Sequence, residues 1–172
     1  CLIMLGQIAG KKGDFRDAII MYRKATEASP EEVEPWVLLA TILIETRQSE
    51  DAESALDKAL RLNPDHIEAR KLLAYLRVSS GQINAAVEIY EWLLEQKNDD
   101  RAVLEGLGNS YRVIGKRKLA VEAYRRWAGL YPEDGNAWWS LANLKNYSFS
   151  DVELRHMKDH LSQAAGTESQ MR

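Results

Sequence analysis

Residues 36–64 read WVLLATILIETRQSEDAESALDKALRLNP. Trp36, Leu39 and Ala40 lie on one apolar run and Ala52, Leu56 and Ala59 on a second, with Arg47 in the polar break between them. Both runs are amphipathic at helical spacing, so the stretch predicts two helices joined by a short turn. Pro64 ends the second run, because proline disfavours helical geometry in the residue before it and can open the next segment.

Outward from this stretch the same punctuation returns every 34 residues, at Pro30, Pro64, Asn98 and Pro132. Self-similarity at such a period marks a stacked repeat. With these residues at position 32 of a 34-residue unit, position 20 is alanine in every complete second helix (Ala18, Ala52, Ala86, Ala120), and position 24 is large (Tyr22, Leu56, Tyr90, Tyr124). Position 7 is leucine throughout (Leu5, Leu39, Leu73, Leu107, Leu141), and position 8 is small (Gly6, Ala40, Ala74, Gly108, Ala142). A small residue beside a large one lets two helices approach and interlock where they cross. Gly13, Gly81 and Gly115 recur at position 15, where a residue tolerant of positive φ can close the first helix, and Arg47 takes that place in one unit. Asn98 is a weaker stop than the prolines, though compatible with a turn. The pattern predicts helix pairs near 1–12 and 15–28, 33–46 and 49–62, 67–80 and 83–96, and 101–114 and 117–130, with a fifth pair starting at Asn136.

These positions resemble the tetratricopeptide repeat, from about Leu2 to the end of the chain. The resemblance implies an all-α, right-handed superhelical solenoid of antiparallel helix pairs. It would be one array over residues 1–172, with units near 1–32, 33–66, 67–100 and 101–134, a divergent partial unit at 135–165, and a flexible tail at 166–172. In the divergent unit Asn146, Tyr147, Ser148 and Phe149 replace the glycine turn before an expected helix from Asp151 to Ala164, which Ser150 or Asp151 would cap. The chain opens on Cys1, within an expected helix, and neither end carries a polar cap, so a piece of a longer protein is expected.

Composition narrows the function. With 45% hydrophobic and 28% charged residues, ten Gly and four Pro, the chain favours packed helices over disorder or a turn-rich sandwich. A net charge of -3 supplies no field for phosphates, so no nucleic-acid partner is expected. Neither a leader nor an 18-residue apolar span is visible, and the single cysteine cannot pair internally, so the expectation is a cytoplasmic protein without membrane contact. No phosphate-binding glycine loop, nucleophile elbow or Cys–His pairing appears, which leaves no catalytic site and no cofactor to expect. His156, His160 and Glu153 share a helical spacing that could hold a metal, but charged faces of terminal helices are ordinarily solvated, and no metal is expected. His66 has no evident partner.

The resemblance further implies that the first helix of each pair lines a concave groove through positions 2, 5, 6, 9, 12 and 13. Those positions give Glu34, Val37, Thr41 and Glu45 in one unit and Lys71 and Tyr75 in the next. Later units give Glu105, Asn109 and Arg112, then Trp139, Asn143 and Tyr147. A protein or an extended peptide segment is the partner this implies. Asn109 and Asn143 share a position in successive units, so their amides either form a ladder along a peptide backbone or are simply solvated. The basic clamp that some members use for a C-terminal carboxylate is absent, because Glu105 and Trp139 stand in its place. Of the tryptophans, Trp36, Trp127 and Trp138 fall on packing positions, whereas Trp139 falls on the groove and is a candidate anchor.

Residues 137–157, AWWSLANLKNYSFSDVELRHM, also resemble the last part of the repeat region that precedes the catalytic domain of bacterial sulfotransferase-family proteins. That resemblance implies a downstream α/β domain that binds phosphoadenosyl phosphosulfate, and it assigns no catalytic residue to this chain. Three roles therefore share one fold: a free-standing interaction scaffold, the recruiting arm of a sulfotransferase, and a structural repeat that associates through its ends.

Overall fold

The computed structural model describes residues 1–145 and 147–158. It falls into two compact units, Cys1–Asn98 and Asp99–Arg172, and the boundary lies where Asn98 replaces the repeat's proline. The first unit holds three helix pairs: α1 (Leu2–Lys12) with α2 (Phe15–Ala28), α3 (Val33–Glu45) with α4 (Ser49–Leu62), and α5 (Ile67–Ser79) with α6 (Ile83–Glu95). The second holds α7 (Arg101–Val113), α8 (Arg117–Leu130), the short α9 (Gly135–Ala142), and a further helical stretch, α10, over 151–158. Among the described residues there is no strand. The tail expected at 166–172 and the end of the expected last helix lie outside the described residues.

The small and large positions pack as their sizes dictate. Ala18, Ala52, Ala86 and Ala120 are each 0% exposed, and Tyr22, Leu56, Tyr90 and Tyr124 are all buried beside them. A Cβ added to Gly6 would lie 2.6 Å from Tyr22 Cε1, and one added to Gly108 would overlap the Tyr124 ring in the same way. Glycine is therefore needed at these two crossings so that a phenol ring can lie flat against the facing backbone. Leu39, Leu107 and Leu141 are buried, whereas Leu5 on α1 is 47% exposed.

The turns obey backbone geometry more strictly than residue type. Gly13, Gly81 and Gly115 have φ of 82°, 77° and 75°, and Arg47 adopts 59° in the same position despite its Cβ. Lys97 is a further left-handed residue, with φ of 57°. It ends α6 in place of a proline: Lys97 N–H donates to Leu94 O and Asn98 N–H donates to Leu93 O, both at 2.9 Å, a paired closure of the last helical carbonyls.

Position 4 carries a recurring contact. Trp36 Nε1 donates to Pro30 O at 3.0 Å, Trp138 Nε1 to Pro132 O at 3.4 Å, and Arg70 Nε to Pro64 O at 2.7 Å. Each satisfies the carbonyl of the proline six residues earlier, so an indole and a guanidinium serve interchangeably as donors at the start of a unit. Trp127 is buried, as its packing position requires, and its Nε1 donates to Asp134 Oδ2 at 3.2 Å. Asp134 is itself buried; it also accepts from Arg101 at 3.3 Å and from Asn136 N–H at 3.1 Å, which caps α9.

Candidate partner-binding site

In the first unit, α3 and α5 carry the candidate residues. Lys71 pairs with Glu68 one turn away at 2.7 Å, and Tyr75 is 55% exposed. Thr41 turns its hydroxyl back to Val37 O at 2.9 Å. Val37 is buried, so it belongs to the core and not to a groove as its position implied. Glu34 and Glu45 act on Tyr22 of the preceding pair: burial first, then the charge of Glu45 and that of Glu34, push its phenol above the ordinary 10. An acidic surround favours the neutral, donating form of that hydroxyl.

In the second unit Glu105, Asn109 and Arg112 of α7 gather round the hydroxyl of Tyr124, which α8 sends across the pair. Tyr124 Oη donates to Asn109 Oδ1 at 2.7 Å. Burial raises the Tyr124 pKa, a hydrogen bond and the charge of Arg112 work against it, and Glu105 adds to it. The carbonyl of Asn109 is thus committed within the fold, and its Nδ2 is the group it can offer to a ligand.

Trp139 is 68% exposed on α9, beside the exposed Asn143. Asn143 Nδ2 donates to Trp139 O at 3.0 Å, so this amide closes its own helix end. Tyr147 is placed otherwise than its position in the unit implies. Because α9 stops at Ala142, residues 143–145 and 147–150 are outside the helix, and register no longer sets where Tyr147 points. Its hydroxyl meets Glu153, Arg125 Nε donates to it at 3.1 Å, and its ring stands edge-on to Phe149 at 5.1 Å.

Glu153 is the centre of that cluster. Ser150 caps α10: its Oγ accepts from Glu153 N–H at 3.3 Å while Glu153 Oε2 accepts from Ser150 N–H at 2.8 Å. This reciprocal pair is a capping box, with Glu153 three residues after the cap. Arg125 Nε donates to the other carboxylate oxygen at 2.9 Å. Burial works to raise the Glu153 pKa, and hydrogen bonds from Tyr147, Ser150 and Arg125 outweigh it, bringing the group from 4.5 to about 2. A carboxylate so engaged is already committed to the fold, which removes it from the metal set that His156 and His160 suggest; His160 lies outside the described residues. His66 accepts from Ala69 N–H through Nδ1 at 3.2 Å and caps α5.

Helix pairs of 34 residues that interlock through small and large positions, presenting mixed polar and aromatic side chains on their first helices, define a repeat scaffold of the kind that holds other proteins. The sequence profile of the tetratricopeptide repeat matches residues 11–76 and 50–109, more than half of the chain, and the chain belongs to that family. A solved structure of MamA superposes with a TM-score of 0.79 at 23% identity, covering 96% of this chain and 97% of that one. YrrB, described as a TPR protein with an unusual peptide-binding site, superposes at 0.70 and 23% identity over 78% of this chain and 70% of that one. The fold class, an all-α solenoid of helix pairs, is that of these neighbours. Among curated relatives, the human protein O-mannosyl-transferase TMTC1 is 23% identical over 88% of the chain, and the peroxisomal targeting signal receptor of Komagataella phaffii is 29% identical over 68%. The chain spans about a fifth of the length of these two relatives, at 18% and 21%. No described helix is long and apolar enough to cross a membrane.

Proposed function

We propose that this chain holds an extended peptide or protein segment along the first helices of its pairs, with Trp139 as the aromatic anchor. The observation that carries the reading is the exposure of the Trp139 indole, 68%, on a helix whose other large side chains, Trp138 and Leu141, are buried. Exposed tryptophan at a repeat face is the residue type that most often dominates binding energy. Asn109 Nδ2 and the Arg112 guanidinium supply donors, Glu105 a carboxylate, Lys71 and Tyr75 the corresponding face of the first unit, and Asn143 and Tyr147 the border beyond Trp139. A peptide site in YrrB and the targeting-signal receptor among the relatives support this kind of ligand.

The test is selection of a displayed peptide library on the wild-type chain, followed by binding of the enriched peptides to Trp139→Ala. An anchor of about 1.4 kcal/mol or more is worth at least a tenfold loss. Equal binding to both proteins sinks the site. A second reading, association between copies, has its own observation in the apolar face of α1, where Met4 and Ile8 are 65% and 50% exposed. It predicts a mass in light scattering that rises with concentration and is indifferent to Trp139→Ala.

The likeness of residues 137–157 to the repeats of sulfotransferase-family proteins supports a place beside such a domain. The coding sequence past Arg172 decides it: a strand, a phosphate-binding loop and a helix are expected, and further helix pairs or a stop codon would remove the proposal.

A further inference from the structure

A cavity of about 170 Å³ opens between α2 and α4 with α3 beneath it, lined by none of the side chains assigned to the groove. Trp36 and Leu39 of α3, Arg23 of α2, and Asp51, Ala55 and Lys58 of α4 are among the residues that line it; Leu39 and Ala55 are buried, and Arg23, Asp51 and Lys58 are exposed. Arg23 and Asp51 are ion-paired and each is about half exposed. The volume is comparable with the roughly 150 Å³ apolar cavity that admits a benzene ring.

The repeat itself shows what such a site accepts. One unit further on, 34 residues along, Ala55 becomes Ile89, Lys58 becomes Trp92 and Trp36 becomes Arg70. There the Trp92 ring lies under the Arg70 guanidinium at 3.9 Å, so an indole and a cation occupy the equivalent space. Three units further on, Arg23, Trp36 and Asp51 become Arg125, Trp138 and Glu153. The ion pair is conserved in kind, Arg125 with Glu153 at the same separation of 28 residues as Arg23 with Asp51. In that unit Phe149 packs against Trp138 at 6.5 Å, and Tyr147 lies 5.5 Å below Arg125. Phe149 stands where the other units have their turn residue, and the early end of α9 frees it to reach back. In the last unit, which has the same walls of a tryptophan and an arginine–carboxylate pair, the site is therefore filled by the chain's own aromatic rings, and in the following unit, where Arg70 replaces Trp36 and Asp57 replaces Arg23, a ring again lies on an arginine; the site at Trp36 carries alanine and lysine where that unit has Ile89 and Trp92.

From this we infer that the α2–α3–α4 cavity is a second docking site, which receives one aromatic side chain of a protein partner against Trp36 and under Arg23. The ring faces an apolar floor and a cation, the arrangement that selects an aromatic over an aliphatic side chain of similar size. It belongs to the first unit and shares no residue with the site proposed at Trp139 in the second, so the failure of one reading leaves the other standing.

The experiment titrates N-acetyl-tryptophanamide and, separately, N-acetyl-leucinamide into the 15N-labelled 172-residue chain, following the indole N–H of Trp36. Saturable displacement of that signal by the tryptophan probe is expected, roughly two- to fivefold tighter than by the leucine probe, the ratio a ring gains over a cation at an exposed site. Ala55→Ile with Lys58→Trp, which imports the residues of the following unit, should abolish the displacement. Arg23→Gln, a change on an exposed side chain that leaves the fold alone, should remove the preference for the aromatic probe and keep the weak apolar binding. No displacement of Trp36 by either probe, equal affinity for both, or an aromatic preference that survives Arg23→Gln would overturn the assignment.

Discussion

Replacing Glu153 with glutamine removes the charge of one carboxylate at nearly constant volume and keeps one of its two accepting oxygens, while the other becomes an NH2 that faces donors. The group titrates at about 2 in the folded chain against 4.5 for an ordinary glutamate. At roughly 1.36 kcal/mol per unit that difference amounts to about 3 kcal/mol in favour of the folded, ionised state. Its side chain is 13% exposed but that of Arg125 is 52% exposed, so solvent screening leaves about 1 to 2 kcal/mol. The sign follows from linkage: a folded pKa depressed below the unfolded one gives stability that is complete above about pH 5 and disappears as pH falls toward about 2. Glu153→Gln should therefore destabilise residues 147–158 by about 1 to 2 kcal/mol at pH 7 and by clearly less at pH 2, where the native side chain is about half protonated. Because these residues can open without the rest of a repeat array, amide hydrogen exchange is the assay, read for residues 150–158 in both proteins across that range. A loss of equal size at both pH values would mean that shape and not charge is at stake, and would refute the reasoning.

Three further substitutions test the packing and the turns. Gly108→Ala should cost about 1 to 3 kcal/mol in urea unfolding, because the new methyl group meets the Tyr124 ring; Tyr124→Leu should recover part of that loss, as Ala40 and Leu56 already share these positions in another unit, and strict additivity would disprove the account. Arg47→Gly should raise the unfolding midpoint by about 0.5 to 1 kcal/mol equivalent by relieving a φ of 59° at a residue with a Cβ, and an unchanged midpoint would show that no strain is stored there. Asn98→Pro, which restores the punctuation of the other units, should destabilise by about 1 to 3 kcal/mol, since it deletes the N–H that reaches Leu93 O and disfavours the left-handed Lys97 before it; a gain in stability would refute this.

The parts legible in the sequence are those that the backbone period controls. Helix boundaries in the first four pairs follow the 34-residue register to within a residue or so, and the four alanines at position 20 have no exposed surface. The same register identifies Trp127 as a core residue, and of the two cap candidates, Ser150 and Asp151, the structure uses Ser150. What register cannot supply is the direction of long side chains at contacts 28 residues apart, such as Arg23 with Asp51, which depend on rotamers and on both neighbouring helices. Arg70 was readable in principle, since it stands at the position of Trp36 and Trp138 and each has a donor of the right reach. The left-handed Lys97 was not, because it follows from the missing proline at 98 and carries no signal of its own. Val37 went to the core because a position that faces solvent in one unit can be covered in another by the local crossing. Tyr147 departed from expectation because α9 is eight residues long where other first helices have eleven to thirteen.

Departures from a repeat carry more information than its agreements. A 34-residue period satisfied everywhere would describe a scaffold with nothing to distinguish one face from another. Here the departures sort into two kinds. Arg47 changes the residue and keeps the backbone by entering the left-handed turn of the glycines, whereas Asn98 goes with a changed helix end, since Lys97 is left-handed where Ser29, Asn63 and Tyr131 are not; both bear on stability. Trp92, Phe149 and Trp139 change what is displayed, Trp92 and Trp139 from helices of the repeat and Phe149 from the stretch where α9 has already ended: Trp92 lies against Arg70, Phe149 against Trp138, and Trp139 sets an indole out in solvent. Aromatic surface is costly to expose and profitable to cover. A chain that covers such surface at Trp92 and Phe149, while the recess beside Trp36 stays open and an indole stays bare on α9, offers the two surfaces at which the proposed partner would complete the packing.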